Sequence, residues 1–311
     1  MKILLVLIFA PMIALILLYF LFPGRLVAFG RWLLRRRGGL ALKSVTVDGR
    51  AWPYLEGGDP AKPLLLFVHG FAGDKDNWSM IAPYLTRDFH VIAPDLPGFG
   101  ENERNPQLAY DIAAQTARLK GFADALGLQS PHLCGNSMGG WIALRYALDY
   151  PDALASLILL NNAGVKGANE SDLEKQAANE DYNPLVLANL EDADRLLAMV
   201  THKPPFIPAR LKPALYADAL KYRDQLDGVF WIIATEARDH PLNDRLGEVR
   251  VPTLILWGRH DRLIDVSCVP VLEAGIAGSR AHILEHVGHV PMVEDPKATA
   301  AIIRDFLGAL A

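Results

Sequence analysis

From Ile3 to Phe22 the chain runs for twenty residues without a charge, ILLVLIFAPMIALILLYFLF. Beyond Leu42 the pattern changes to short apolar runs separated by amphipathic stretches. As a helix the first run is about 30 Å long, the thickness of a bilayer's hydrocarbon core, and Pro11 is tolerated better there than in a soluble helix. The run predicts a retained N-terminal transmembrane helix. A cleaved signal would carry a shorter apolar stretch and a small-x-small site, and Pro23-Gly24-Arg25 stands there instead. A buried core helix is the third reading.

The later runs predict strands. KSVTVD (43–48) and AWPYLEG (51–57) read as a hairpin; LLLFV (64–68), HVIAPD (90–95), HLCGN (132–136), LASLILLNN (154–162), TLILWG (253–258) and AHILEH (281–286) read as buried strands. Between them, residues 109–127, 138–151 and 297–310 carry apolar positions at helical spacing. Strands alternating with helices predict an α/β fold with a mostly parallel sheet covered on both faces.

One interruption, residues 164–245, has no strong strand run. Its apolar patches (Leu185, Val186, Leu187 and Leu190; Leu196, Leu197, Met199 and Val200; Leu211, Leu215 and Tyr216) and the punctuating HKPPFIP (202–208) predict a helical cap. A plain extra helical layer is the alternative. The expected division is an anchor over 1–38, an α/β core over 39–163 and 246–311, and the cap over 164–245.

Charge refines the front end. Residues 1–43 carry seven basic and no acidic side chains, which leaves −11 on the rest of a chain whose formal charge is −4. Arg25, Arg31, Arg35, Arg36 and Arg37 interleave with Phe29, Trp32 and Leu33, a mixture that the membrane interface favours. Such a collar would hold an acidic body near anionic lipid; a solvated stop-transfer run is the plainer reading. The body lacks the basic excess of a nucleic-acid binder. Two cysteines make neither a disulfide scaffold nor a four-ligand zinc site. Cys134 and Cys268 read as small buried residues, and no metal or organic cofactor is implied.

The chemistry centres on Gly135-Asn136-Ser137-Met138-Gly139, a G-x-S-x-G between a strand and a helix. A serine on a strained turn needs small neighbours on either side and stands above the strands' carboxyl ends, where such folds bind substrates. It also needs a base and an acid to orient that base, in chain order Ser, Asp or Glu, His. Asp261 follows the strand TLILWG, and His289 follows the last strand; these are the expected acid and base. His286 reads as structural, still on that strand, and His260 as loop surface. Backbone N–H groups of Met138 and of Phe71, in FVHGFAG, are the expected oxyanion donors, with ordinary loop packing as the alternative for Phe71. Asp95, Asn162 and the turn Pro97–Gly100 read as structural.

HGFAGDKDNW (69–78), PDLPGFG (94–100), GNSMGGWIAL (135–144), LWGRHDRLID (256–265) and GHVPMVEDP (288–296) together resemble the α/β-hydrolase superfamily over about residues 45–311. More narrowly, the chain is similar to membrane-anchored lipases, monoacylglycerol lipases and phospholipases A. Position by position the resemblance implies Ser137 as nucleophile, Asp261 as acid, His289 as base, and Phe71 and Met138 as oxyanion donors. It departs at Asn102, where the family often has serine. It implies hydrolysis of carboxylic esters of membrane lipids (phospholipid, lysophospholipid or monoacylglycerol), with the bilayer as partner. Carbon–carbon hydrolysis of ring-cleavage products is the alternative chemistry, and a non-catalytic binding protein on the same scaffold the alternative class. Homodimerisation through the anchor is a further reading, without a GxxxG pattern in the span to support it. The basic residues after the span favour a cytoplasmic body, whereas the resemblance to bacterial enzymes favours an inner-membrane protein facing the periplasm; the periplasm is preferred.

Overall fold

The computed structural model describes residues 13–178 and 182–310. Eight strands form one sheet: β1 (Leu40–Val47), β2 (Arg50–Gly57), β3 (Leu64–Val68), β4 (His90–Pro94), β5 (His132–Asn136), β6 (Ser156–Leu160), β7 (Thr253–Gly258) and β8 (Arg280–Leu284). Their spatial order is β1-β2-β4-β3-β5-β6-β7-β8. β2 runs against both neighbours, and from β4 to β8 every pairing is parallel.

The continuous apolar runs follow from a sheet buried on both faces. Successive side chains alternate between two cores. Leu66, Val68, Leu157, Leu159, Ile255 and Trp257 join one core, with Phe122 and Trp141 from the helices Ile112–Ala125 and Met138–Asp149. Leu65, Phe67, Ile158, Leu160, Leu254 and Leu256 join the other, against Trp78 and the helix Pro296–Gly308. Asp111 caps the first helix by accepting from the Ala114 N–H, and Asp295 caps the last from Ala298.

The register places the site. Val68 pairs with Gly135, and Asn136 with Leu160, so the loops after β3, β5 and β6 leave the sheet side by side. Gly258 pairs with Leu284, which brings the loops after β7 and β8 together. His286 lies in a turn beyond β8, which ends at Leu284, and not on the strand as expected.

Among the described residues, the insertion between β6 and β7 is helical and contains no strand. Its longest element is the helix Arg223–Asp239, which the apolar patches did not point to. The helix Asp192–Val200 covers the expected patch at Leu196–Val200. The patch at Leu185–Leu190 is irregular instead. Asn183 accepts from the Leu185 N–H and Asp192 from Ala188 and Asn189, so side chains take the donors that a helix would use.

Residues 3–12 of the expected span lie outside the described residues, and among the described ones no helix is long and apolar enough to cross a membrane. Residues 13–21 are helical, the chain breaks at Phe22, and a second helix runs over Pro23–Arg37. The arginine collar does not act as one surface. Arg35 turns inward and makes two 2.6 Å hydrogen bonds to Asp76, and Arg31 lies 3.8 Å from Asp74. Arg25 and Arg36 lie over the rings of Phe22 and Trp32, and with Arg37 they make no ion pair among the described residues.

Candidate active site

Ser137 sits between β5 and the helix Met138–Asp149 with φ 58° and ψ −123°, a strained conformation for a residue with a side chain. Backbone bonds hold it there: its N–H donates to the Leu160 carbonyl at 3.1 Å, and its carbonyl accepts from Trp141 and Ala163. The flanking glycines are required by contact. A Cβ on Gly135 would lie 2.1 Å from the Gly139 carbonyl oxygen, and one on Gly139 would lie 2.3 Å from the Val68 carbonyl oxygen. Gly70, after β3, approaches so closely that its own Cβ would be 3.0 Å from that of Ser137.

Asp261 and His289, expected as acid and base, are in direct contact. Nδ1 of His289 donates to Oδ2 of Asp261 at 2.8 Å, and both side chains are buried. The carboxylate accepts three further bonds: from Asn161 Nδ2 at 2.6 Å and from the N–H groups of Leu263 and Ile264 at 2.8 and 3.0 Å. Asn136, beside Ser137, donates to the His289 carbonyl at 3.0 Å, and the His289 N–H donates to Val200 in the insertion. Glu294 accepts from Gly288, Val290 and His202, which fixes the loop around His289 to the insertion. Ser137 and His289 are not hydrogen-bonded to each other among the described residues, a contact that commonly tightens only around substrate.

Asn161 is the residue that sequence reasoning passed over in favour of its neighbour. It adopts φ 45°, donates to Asp261 and Gly288, and accepts from the Gly258 N–H. Asn162 only donates to the next carbonyl. The available signal was an Asn-Asn pair at a strand end, and asparagine tolerates the left-handed region better than most residues.

The loop carrying Phe71 is built from charges and one histidine. Buried His69 accepts from the Leu96 N–H at Nε2, so Nδ1 carries the proton and donates to the Gly70 carbonyl at 2.8 Å. Burial holds its pKa below the ordinary value, which keeps it neutral. Lys75 and Asp95 form a fully buried ion pair at 2.7 Å, and Asp95 also accepts from the N–H groups of Lys75 and Glu101. Asn102 donates to the Asp95 carbonyl, so the departure at this position serves the turn. Asp95 is structural, as expected.

A cavity of about 840 Å³ opens at Ser137, with Phe71, Met138, Trp141, Phe230 and Leu263 in its wall. Phe230 belongs to the long helix of the insertion and packs edge-on against Phe71, with ring centroids 5.9 Å apart. Cys268 also lines the cavity, its thiol pushed up to about 12 mainly by burial; Cys134 is buried as well, and its thiol is pushed up too. His260 is exposed and stacks on His202 at 3.8 Å. Among the described residues, no group of histidine, cysteine or acidic side chains could hold a metal.

Residues 63–296 match the family described as the alpha/beta hydrolase fold, and the chain belongs to that family. It is similar to a Xenopus laevis protein named monoacylglycerol lipase abhd6-B, at 30% identity over 96% of this chain and 92% of the relative. It is also similar to lipase 1 of Psychrobacter immobilis, at 35% identity over 89% and 87%. Among solved structures it resembles a bacterial membrane phospholipase A, with a TM-score of 0.89 and 40% identity over 99% of this chain and 98% of the other.

Proposed function

We propose that this chain, a carboxylic ester hydrolase of the α/β-hydrolase family, cleaves fatty-acyl esters of membrane lipids with Ser137 as nucleophile. The observation that carries the reading is the buried Asp261–His289 pair at the same sheet end as the strained Ser137, beside a cavity with a largely apolar wall. Ser137 Oγ attacks the ester carbonyl while His289 Nε2 takes its proton. The ionised Asp261 only accepts hydrogen bonds, so it holds the proton of the neutral ring on Nδ1 and stabilises the imidazolium that forms. In this reading the N–H groups of Phe71 and Met138 receive the oxyanion, supported by the Met138 N–H being the first of its helix, where the helix dipole also favours negative charge. His289 then protonates the leaving alcohol, and water activated by the same ring releases the fatty acid.

The lipid substrate is supported by the cavity wall, by the apolar N-terminus and by relatives named as lipases and phospholipase A. In this reading residues 1–38 anchor the chain, 164–245 form the cap, and Arg25, Arg36 and Arg37 face lipid headgroups. A fluorophosphonate probe tests the nucleophile. Peptide mass spectrometry should find the label on Ser137, and the His289→Ala chain should label far more slowly. Label on another serine, or equal labelling of both chains, would overturn the assignment.

A further inference from the structure

We infer that the insertion makes its own contact with the bilayer, through a tip at Lys203–Phe206 that enters the lipid interface beside the N-terminal helix. Phe206 is 89% exposed, the most exposed of the large hydrophobic side chains among the described residues. It stands in Lys-Pro-Pro-Phe-Ile-Pro, where three prolines fix the backbone and remove the N–H groups that lipid could not satisfy. Four consecutive residues, Lys203 to Phe206, are exposed, so nothing in the described chain covers the ring.

The level of the tip is set a few residues later. Arg210 donates to the carbonyls of Tyr19 and Phe20, and its guanidinium lies 5.5 Å from the Phe20 ring centroid. These carbonyls need a partner. In an unbroken helix the Tyr19 carbonyl would accept from residue 23, which is proline, and the chain breaks at Phe22. An unsatisfied carbonyl in lipid is costly, and a cation at a helix C-terminus is favoured, so Arg210 hooks the insertion to this break. Lys212 then pairs with Asp194 of the helix Asp192–Val200, whose last carbonyl receives the His289 N–H.

The tip is therefore tied to the last two turns of the uncharged run Ile3–Phe22, where Ile16, Leu17, Phe20, Leu21 and Phe22 are all exposed. An exposed aromatic flanked by Lys203 and Arg210 is the composition that a membrane interface favours. The partner it fits is the bilayer that the N-terminal run enters. The inference rests on that membrane reading, and the two fail separately.

The full chain is reconstituted into phosphatidylcholine–phosphatidylglycerol vesicles, with an environment-sensitive fluorophore on Phe206→Cys or on Lys203→Cys. Cys134 and Cys268 are buried, so the introduced thiol reacts selectively. Gln129→Cys, exposed in the loop that enters β5 at the sheet end away from Ser137, is the control. Flotation with the vesicles, blue-shifted emission and quenching by acyl-brominated lipid at 203 and 206 but not at 129 is the expected result. In the Lys203→Cys chain, Phe206→Ser should reverse the shift. Flotation with labels at 203 and 206 that behave like the one at 129 overturns the inference and leaves the anchor standing. Failure to float overturns both.

Discussion

On the His289 side of Ser137, the polar groups are held by a dense set of buried hydrogen bonds among loops of the core, with four donors on the Asp261 carboxylate. On the Phe71 side the loop hangs on long-range charges: the Lys75–Asp95 pair beneath it and the Arg35–Asp76 pair that ties it to the N-terminal helix. The difference separates what the hydrolase core does for itself from what it takes from the segment in front of it. In the proposed reading the base and its acid are oriented mostly by core residues, Asn136, Asn161 and the Leu263 and Ile264 N–H groups, while the insertion contributes through Val200, which accepts the His289 N–H. The Phe71 loop is braced by a helix outside the sheet, so its geometry is open to whatever moves that helix.

The largest effect should come from the first side. Replacing Asp261 with Asn should lower kcat on a short-chain soluble ester by about 10⁴, because the ring loses its preferred tautomer and its countercharge. A loss within tenfold would mean that another group orients His289. Breaking the second side at its buried pair should act on stability first. Lys75→Met leaves the Asp95 carboxylate buried and uncompensated, and should cost about 3–5 kcal/mol in urea unfolding. An unchanged midpoint would remove this pair from the brace.

Much of this arrangement was legible in the chain. β3, β5 and β7 fall on the expected residues, because a strand buried on both faces is an unbroken apolar run that ends abruptly in His69-Gly70, Ser137 or Arg259. That Ser137, Asp261 and His289 gather at one sheet end was readable because each follows a strand there. The brace was not readable. Arg35 and Asp76 are 41 residues apart, and a run of arginines after an apolar stretch looks the same whether it meets phosphates or a carboxylate. The helix Arg223–Asp239 was passed over because its sequence mixes charges with Phe230 and Trp231; it gains its place by packing on Phe71 and by Glu236 accepting the Ile112 N–H. Asn161 needed the left-handed turn at the end of β6 to be seen.

Smaller effects sharpen the comparison. Asn161→Ala removes one buried donor from Asp261 and should cost about 1–3 kcal/mol, read as a roughly 5- to 150-fold lower kcat with KM nearly unchanged. Arg35→Ala should cost about 1–2 kcal/mol, as for a hydrogen-bonded pair of charges that is only partly exposed. The reciprocal exchange, Arg35→Asp with Asp76→Arg, should recover most of it. Burial pushes the Asp76 carboxyl up, but bonds and charge from Arg35 bring it below the usual carboxylate range. Its contribution is therefore present above about pH 4 and lost as pH falls through the lowered value. His69 works over a different window. Its folded pKa lies below the unfolded value of about 6.5, so its contribution is full above that pH and declines as pH falls towards the folded value. A His69→Gln chain should have a flatter stability profile between pH 7 and 5; an identical slope would place that titration elsewhere.

Fatty-acid release from phospholipid vesicles and from monoacylglycerol micelles, full chain beside Ser137→Ala, bears most directly on the proposed chemistry. Release by the full chain that falls on the order of 10⁶-fold in the variant is the expected result, and the ratio between the two lipids names the preferred class. Equal release by both chains, or none from either lipid while Ser137 still takes the fluorophosphonate, would contradict a lipid ester hydrolase acting through Ser137.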